Sequence, residues 1–281
     1  MSEGKLTFGY CDDFVREFEN VIENPIVGGS STYYTGVDLG TACIVLAVLD
    51  ENYKPVAGAY RYADVVRDGM VVDYIGAVKI VRELKQEIEE KLNTELIYAA
   101  AAIPPGTDAL DSGAIKNVVQ AAGFELTCLL DEPTAANELL KIQNGAVVDI
   151  GGGTTGISIL KDGKVVYVAD EPTGGTHFSL VVSGAYSMPF KEADKFKRDN
   201  ENHKELLPVL KPVIEKVASI INQHIRDFDV KEISLAGGTC CLTGIEGIIE
   251  KHTGIHTHKP ENPMFVTPLG IALSCTQEIM D

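Results

Sequence analysis

Two segments of this chain share one pattern, in which an apolar run ends in an aspartate, the chain turns on glycine and a second apolar run follows. The first is Gly36–Ala42 followed by Ile44–Leu49, and the second is Val148–Thr155 followed by Ile157–Leu160. Glycine lets backbone N–H groups approach a phosphate without a Cβ in the way. One such turn is weak evidence, because Asp and Gly occur in ordinary hairpins. Two copies predict a facing pair of phosphate-binding β-hairpins.

Composition excludes several classes of protein. The 281 residues are 45% hydrophobic and 23% charged, and no apolar run approaches the roughly 20 residues that span a bilayer. The first residues lack the basic-then-apolar pattern of a signal peptide, and the six cysteines lack the spacing of a disulfide framework. We therefore expect a soluble, cytoplasmic protein without a membrane partner.

The net charge of −17 constrains the ligand. It repels polyanions, which argues against nucleic-acid binding through a basic face. A nucleotide would have to be held by local groups, namely backbone N–H groups, a divalent cation and a few lysines or arginines.

Outside the two hairpins, strands and helices alternate in a way that indicates α/β sheets, and the second half repeats the plan of the first. Residues 10–24 have the spacing of an amphipathic helix, which we expect to pack on its own domain, with a partner-binding arm as the alternative. The predicted boundaries are an N-terminal helix and linker over 1–33, lobe I over 34–146, lobe II over 147–264 and a C-terminal helix returning to lobe I over 265–281.

Five segments together resemble the phosphate, connecting and adenosine motifs of the actin-like ATPase superfamily, which includes the 70-kDa heat-shock chaperones, actin and the sugar kinases. They are Gly36–Thr41, Asp131–Ala136, Asp149–Thr154, Ala236–Thr239 and Pro268–Ala272. The resemblance implies an α/β protein of the actin-like ATPase fold, with two ribonuclease-H-like lobes and a nucleotide cleft between them.

A finer likeness, from about residue 34 to 275, is to the EutJ family of ethanolamine-utilisation proteins. Four segments carry it: Ala63–Gly69, Pro104–Asp108, Val148–Ile157 and Phe265–Leu269.

The resemblance implies which residues bind ATP or ADP with Mg²⁺. Asp38 and Asp149 would hold Mg²⁺ through waters, and Glu132 would position the attacking water. Without the resemblance, Glu132 is simply a favourable charge at a helix N-terminus. The expected phosphate-binding residues are Gly40, Thr41, Ala42, Gly151, Gly152, Gly153 and Thr154.

Adenosine is expected to lie on the backbone of Gly237, Gly238 and Thr239. In the heat-shock chaperones an acidic residue, with Lys and Arg three and four positions later, clasps adenosine. The same spacing is found in Asp194, Lys197 and Arg198. An ordinary solvated helix is an equal alternative for these three residues.

Departures from the chaperone pattern bear on hydrolysis. No lysine aligns with the catalytic lysine that follows the first hairpin, and Met264 stands where those chaperones have an aspartate. The segment between Thr176 and Gly237 is short for an adenine-clasping subdomain, and no chaperone peptide-binding domain is expected. Hydrolysis is therefore expected to be weak or dependent on a partner.

The expected function is that of a chaperone-like, ATP-binding protein of ethanolamine utilisation, in which hydrolysis drives lobe closure. Its client would be a shell protein or an enzyme of that apparatus. Association with a bacterial microcompartment and self-association stay open. The alternatives are a small-molecule kinase of the same superfamily and a non-hydrolysing nucleotide-binding scaffold.

Two clusters near the C-terminus have simpler explanations than a functional site. We expect His252, His256 and His258 to form an exposed polar turn and not a zinc site. Adjacent cysteines form only strained disulfides, so we expect Cys240 and Cys241 to pack as small apolar residues.

Overall fold

The computed structural model describes residues 3–67, 69–107, 109–278 and 280, with side chains for the same residues except 3–8, 109 and 110. Asp68 and Asp108, each in one of the EutJ-like segments, lie outside the described residues. The described chain divides into two compact units. Unit 1 contains the residues up to Lys141 and those from Phe265 onward, and unit 2 is Ile142–Met264.

In the first part of unit 1, the described residues form seven strands and four helices. The strands are β1 (Tyr34–Leu39), β2 (Cys43–Leu49), β3 (Pro55–Tyr62), β4 (Val66–Arg67), β5 (Met70–Val71), β6 (Tyr98–Ile103) and β7 (Glu125–Asp131). The helices are α1 (Glu3–Glu23), α2 (Tyr74–Leu92), α3 (Ala109–Ala121) and α4 (Glu132–Leu140).

Unit 2 contributes five strands and four helices, after which the chain returns to unit 1 as α9 (Val266–Ser274). The strands are β8 (Gly145–Ile150), β9 (Thr155–Lys161), β10 (Lys164–Glu171), β11 (Glu232–Ala236) and β12 (His256–His258). The helices are α5 (Gly175–Tyr186), α6 (Phe190–Arg198), α7 (His203–Ile225) and α8 (Ile245–Thr253), and a 3₁₀ turn covers Gly238–Cys241.

The two units repeat one sheet topology, which confirms the predicted duplication. The strand orders are β3-β2-β1-β6-β7 in unit 1 and β10-β9-β8-β11-β12 in unit 2. In each sheet the first three strands form an antiparallel meander, and the last two run parallel to the central strand. The hairpins β1–β2 and β8–β9, which contain the two aspartate–glycine turns, occupy equivalent places.

The unit 1 sheet is covered on both faces. One face packs against α2 and α3, and the other packs against α4 and α9. The approach of α9 to α4 is close, because a Cβ added at Gly270 would overlap the carbonyl oxygen of Ala135. This packing fixes α4 and therefore the position of Glu132, its first residue.

Helix α1 packs against β3 of the same unit, as its apolar face predicts. Phe18 is fully buried and meets the ring of Phe265 edge-on at a centroid distance of 5.2 Å. The ring lies over Gly58, where an added Cβ would come within 2.5 Å of it. The apolar face of the helix is therefore covered by its own unit.

Three elements of unit 2 differ from expectation. Helix α7 begins at His203 and continues through Pro208 and Pro212, although proline usually breaks the interior of a helix. Its stripe of buried leucines, valines and isoleucines continues through the prolines, so packing outweighs the hydrogen bonds they remove. The prediction of an exposed polar turn at the C-terminal histidines was wrong, because His256 and His258 belong to strand β12. Helix α5 was not predicted, since it begins within a glycine pair, Gly174-Gly175, of the kind typical of loops.

Among the described residues, no helix combines the length and the apolar character needed to cross a bilayer.

Candidate phosphate-binding site

In unit 1 the first predicted turn lies at one edge of the sheet. Asp38 is the penultimate residue of β1, pairs with Val45 in the ladder and is half-buried. Gly40 makes the turn possible, because a Cβ there would lie 2.8 Å from the carbonyl oxygen of Cys43. Thr41 is half-buried and Ala42 is exposed. The turn thus exposes backbone beside a carboxylate, as a phosphate site requires.

Glu132 lies at the same edge of this sheet as Asp38. Strands β1, β6 and β7 are parallel, so their carboxyl ends meet at one edge, which is where α/β sheets bind ligands. The helix cap is made by Asp131, whose carboxylate accepts from Thr134 N at 2.9 Å and from Thr134 Oγ1 at 2.7 Å. The carboxylate of Glu132, which is half-buried, is therefore not needed as the cap.

In unit 2 the second turn rests on the N-terminus of α5. Gly151 N donates to Thr154 O at 3.0 Å and closes the turn. The carbonyl oxygen of Gly151 accepts from Gly175 N at 2.9 Å and from Thr239 Oγ1 at 2.7 Å. The carbonyl oxygen of Gly152 accepts from Thr176 N at 2.7 Å and from Thr176 Oγ1 at 2.9 Å.

These bonds orient the N–H groups of the loop. In a trans peptide the C=O of one residue and the N–H of the next point in opposite directions. Because the carbonyls of Gly151 and Gly152 face α5 and Thr239, the N–H groups of Gly152 and Gly153 point away from them. Successive N–H groups on one side of a glycine loop form a concave site for an anion.

Three Gly-Gly-Thr triplets meet at this loop. They are Gly152–Thr154, Gly174–Thr176 and Gly237–Thr239. The second packs directly beneath the first, because a Cβ at Gly174 would lie 2.6 Å from the carbonyl carbon of Gly153 and 2.8 Å from Thr154 N. The first and third triplets could be identified from the sequence; the second was not predicted, although its Gly-Gly-Thr repeat was the available signal.

Asp149 and the third triplet are in direct contact. Asp149 is 5% exposed and pairs with Ala236 in the β8–β11 ladder. Gly237 has φ +89°, and a Cβ there would overlap Asp149 Oδ1. The parallel strands β8 and β11 therefore bring the second aspartate and the predicted adenosine segment to one sheet edge, where Gly238 is exposed.

A lysine that the sequence analysis missed supports the 3₁₀ turn after Gly237. Lys259 Nζ donates to the carbonyl oxygens of Cys240 at 2.7 Å and Leu242 at 2.9 Å, and lies 3.3 Å from Glu246 Oε2. Cys240 is buried and free, which confirms its expected packing role. Burial, reinforced by the Asp149 charge, raises the pKa of the Cys240 thiol well above its ordinary value.

The three residues predicted to clasp adenosine form an ion cluster on α6. Lys197 Nζ donates to Gly175 O at 2.9 Å and to Ser179 Oγ at 2.8 Å, and lies 3.2 Å from Asp194 Oδ1. Arg198 Nε lies 3.2 Å from Asp194 Oδ2. The structure therefore brings Lys197 and Asp194 against α5, beside the second triplet.

Burial and charge act in opposite directions on this cluster. Burial lowers the pKa of Lys197, although the Asp194 charge opposes the change. Burial alone would raise the pKa of Asp194, but the Lys197 charge, the Ser179 hydroxyl and Arg198 together hold that pKa below its ordinary value. Asp194 is thus ionised and paired at neutral pH.

The described residues contain no group of three or more His, Cys, Asp or Glu side chains placed to hold a metal ion. Mg²⁺ in nucleotide sites keeps several waters and uses one or two carboxylates together with phosphate oxygens. The carboxylates of Asp38 in unit 1 and of Asp149 in unit 2 are each a ligand of the kind that such a site uses.

Comparison with known proteins identifies the family. The chain is 46% identical to the ethanolamine utilization protein EutJ of Salmonella typhimurium over 242 residues, which are 86% of this chain and 85% of the relative. It is 44% identical to EutJ of Escherichia coli K12 over 245 residues, 87% of this chain and 86% of the relative. The chain belongs to the EutJ family. The crystal structure of EutJ from Carboxydothermus hydrogenoformans matches with a TM-score of 0.90 and 47% identity, covering 95% of this chain and 99% of that one.

More distant matches show that the chain shares its fold with the actin-like ATPases. The family model of the MreB/Mbl proteins matches residues 57–183, and that of the type IV pilus assembly protein PilM matches residues 133–265. MreB5 of Spiroplasma citri, solved with ADP, has a TM-score of 0.69 at 18% identity, covering 85% of this chain and 95% of that one. The predicted actin-like ATPase fold is confirmed.

Proposed function

We propose that this EutJ protein binds Mg·ATP and hydrolyses it weakly, or only with a partner, and that hydrolysis drives closure of its two lobes. Each unit supplies one phosphate-binding turn and one aspartate. The observation that carries the proposal is the orientation of the loop at 151–154, whose carbonyls are bonded to α5 and Thr239, so that the N–H groups of Gly152 and Gly153 face the opposite side.

The chemistry follows from these groups. A chain with a net charge of −17 has to neutralise the phosphates locally. Backbone N–H groups at Gly40, Thr41, Gly152 and Gly153 would contribute part of that neutralisation, and Mg²⁺, which Asp38 and Asp149 would hold through waters, would supply the rest. Glu132, at the sheet edge of Asp38, orients the water that attacks the terminal phosphate. Adenosine lies along Gly237–Thr239.

Slow turnover follows from a missing cation. Protein cations stabilise the charge that develops on a transferring phosphoryl group. Residues 55–78, from β3 to the first turns of α2, contain no lysine, and Lys54, between the first hairpin and β3, is exposed. Of their two arginines, Arg61 is ion-paired with Glu83 of α2 and Arg67 is exposed on β4. The site therefore binds phosphate better than it accelerates hydrolysis, and we propose that a partner increases the rate.

The test is calorimetric titration with Mg·ATP and Mg·ADP. Asp38→Asn and Asp149→Asn remove one charge each at nearly constant volume, and both should weaken binding at least tenfold. The matched control is Asp162→Asn, at the exposed β9–β10 turn, where φ is +52° and asparagine is tolerated. Wild type that binds neither nucleotide at millimolar concentration would overturn the proposal.

Single-turnover ADP production distinguishes a protein that hydrolyses ATP from a non-hydrolysing nucleotide-binding scaffold. The scaffold alternative is favoured by the absence of lysine in residues 55–78. Nucleotide binding without any turnover, even with a client present, would leave only the scaffold.

The family name suggests the client. EutJ relatives are named for ethanolamine utilisation, and we propose that this protein serves a shell protein or an enzyme of that apparatus, in the cytoplasm or at a bacterial microcompartment. Purified candidates of both kinds, titrated against the ATP-loaded and ADP-loaded protein, test this. A client should bind the two states with different affinities, since equal affinities cannot drive a change of state.

A further inference from the structure

We propose that Lys197 and Asp194 are positioning residues, which hold the phosphate-binding loop at 151–154 from behind and do not contact adenosine. This inference rests on the proposed function, because the loop must bind phosphate for its position to matter.

The path from the lysine to the loop is short. Lys197 Nζ donates to Gly175 O at 2.9 Å, and Gly175 N donates to Gly151 O at 2.9 Å. The packing around Gly175 leaves no room for a side chain, because a Cβ at this position would lie 2.5 Å from Thr239 Oγ1 and 3.2 Å from Lys197 Nζ. A change at Lys197 therefore reaches the loop through one residue.

Each N–H donor of Lys197 has an acceptor available within unit 2. An ammonium group has three N–H donors. Lys197 has three acceptors within 3.2 Å, which are Gly175 O, Ser179 Oγ and Asp194 Oδ1. Its side chain is 11% exposed. An adenosine hydroxyl or ring nitrogen would have to displace one of these partners.

Helix stability does not explain the lysine. A positive charge beside the first turn of a helix opposes the helix dipole, and α5 has no side-chain cap at Gly174. Asp194 offsets the charge, and its second oxygen is held by Arg198 at 3.2 Å. A buried cation, compensated in this way and bonded to the residue that carries the loop, fits a positioning role.

The experiment distinguishes an effect on phosphate binding from an effect on adenosine binding. Calorimetry measures the affinity of wild type and Lys197→Met for Mg·ATP, for Mg·tripolyphosphate and for adenosine. A positioning role predicts that Lys197→Met loses at least tenfold in affinity for both triphosphate ligands and leaves adenosine unchanged. A loss confined to Mg·ATP and adenosine would overturn the inference and support the adenosine clasp.

Hydrogen exchange of the nucleotide-free protein gives a readout independent of binding. Lys197→Met should speed exchange at the amides of 151–154 and 174–176 and leave the turn at 38–43 unchanged. The matched control is Lys85→Met, which removes another enclosed lysine, ion-paired with Glu89 on α2 of unit 1. It should change neither loop exchange nor triphosphate affinity.

Two milder variants keep the inference testable where Lys197→Met fails to fold. Ser179→Ala removes one acceptor of Nζ, and Lys197→Arg keeps the charge with a different geometry; both should lose triphosphate affinity, by less than Lys197→Met. Wild type that binds neither triphosphate overturns the proposed function and this inference together. Wild-type binding that all three variants retain overturns this inference alone.

Discussion

Gly237 lies so close to Asp149 that a Cβ on the glycine would overlap the carboxylate oxygen Oδ1. The contact joins the end of β11 to the end of β8, and so joins the predicted adenosine segment to the predicted metal-binding aspartate. The position requires glycine for two reasons, since φ at Gly237 is also +89°.

Gly237→Ala should therefore destabilise unit 2 by about 1–3 kcal/mol, and should weaken Mg·ATP binding because Asp149 has to move. Urea unfolding and calorimetry measure the two effects. The control is Gly247→Ala in α8, where an added Cβ meets no atom within 4 Å. There alanine should stabilise the helix by about 0.5–1 kcal/mol.

Glu132→Gln should separate binding from chemistry. The substitution keeps the size of the side chain, and Asp131 still caps α4. We expect Mg·ATP affinity to be unchanged and single-turnover ADP production to fall about 100-fold, the lower range for a general base. Glu138→Gln, later on the same helix and ion-paired only at the surface with Lys141, is the control. Full turnover in Glu132→Gln would assign the water to another group.

Phe18→Ala tests the attachment of α1. The side chain is fully buried against Phe265 and Gly58, and truncating such a residue costs about 3–5 kcal/mol. Tyr10→Ala, at a position that is 54% exposed, should cost little. Equal melting temperatures for the two variants would show that α1 does not contribute its burial to unit 1.

At acid pH the free energy of unfolding of unit 2 should fall, because His258 is harder to protonate in the folded state than in the unfolded state. Burial, and then the neighbouring His256, lowers the pKa of His258 from 6.5 to about 4. A depressed folded-state pKa contributes stability that is complete above pH 6.5 and is lost as the pH falls towards 4, which amounts to about 3 kcal/mol at 1.36 kcal/mol per unit. Urea unfolding at pH 7.5 and pH 4.5 measures the loss.

His258→Gln should remove most of that dependence on pH, because glutamine can still bond to Ser234 Oγ, which lies 2.8 Å from His258 Nε2. His252→Gln is the control, since His252 bonds only at the surface, to Ser219. The same acid sensitivity in His258→Gln as in wild type would place the titrating group elsewhere.

Local patterns predicted the parts of the fold that local chemistry determines. The turns at Asp38-Leu39-Gly40 and Asp149-Ile150-Gly151 were visible because aspartate and glycine mark them within a few residues. The duplicated sheet followed because both halves repeat the same order of apolar runs. Glu132 could be placed at a helix start because proline follows it.

The rest depends on contacts between residues distant in sequence. Thr176 bonds to Gly152 and Thr239 bonds to Gly151, and no periodicity encodes such pairs. Asp194, Lys197 and Arg198 have the spacing of neighbours on one helix face, and all three lie on α6 as an ion cluster. The spacing could not show that this face turns towards Gly175.

Because α9 returns to unit 1, the two units are completed at different times during translation. Unit 2 is one uninterrupted segment, so all its strands have been synthesised once Met264 leaves the ribosome. One face of the unit 1 sheet is only partly covered until α9 emerges and packs against β1 and α4. Until then the apolar surface of α4 has no cover from α9, and the half with Asp38 and Glu132 is completed last.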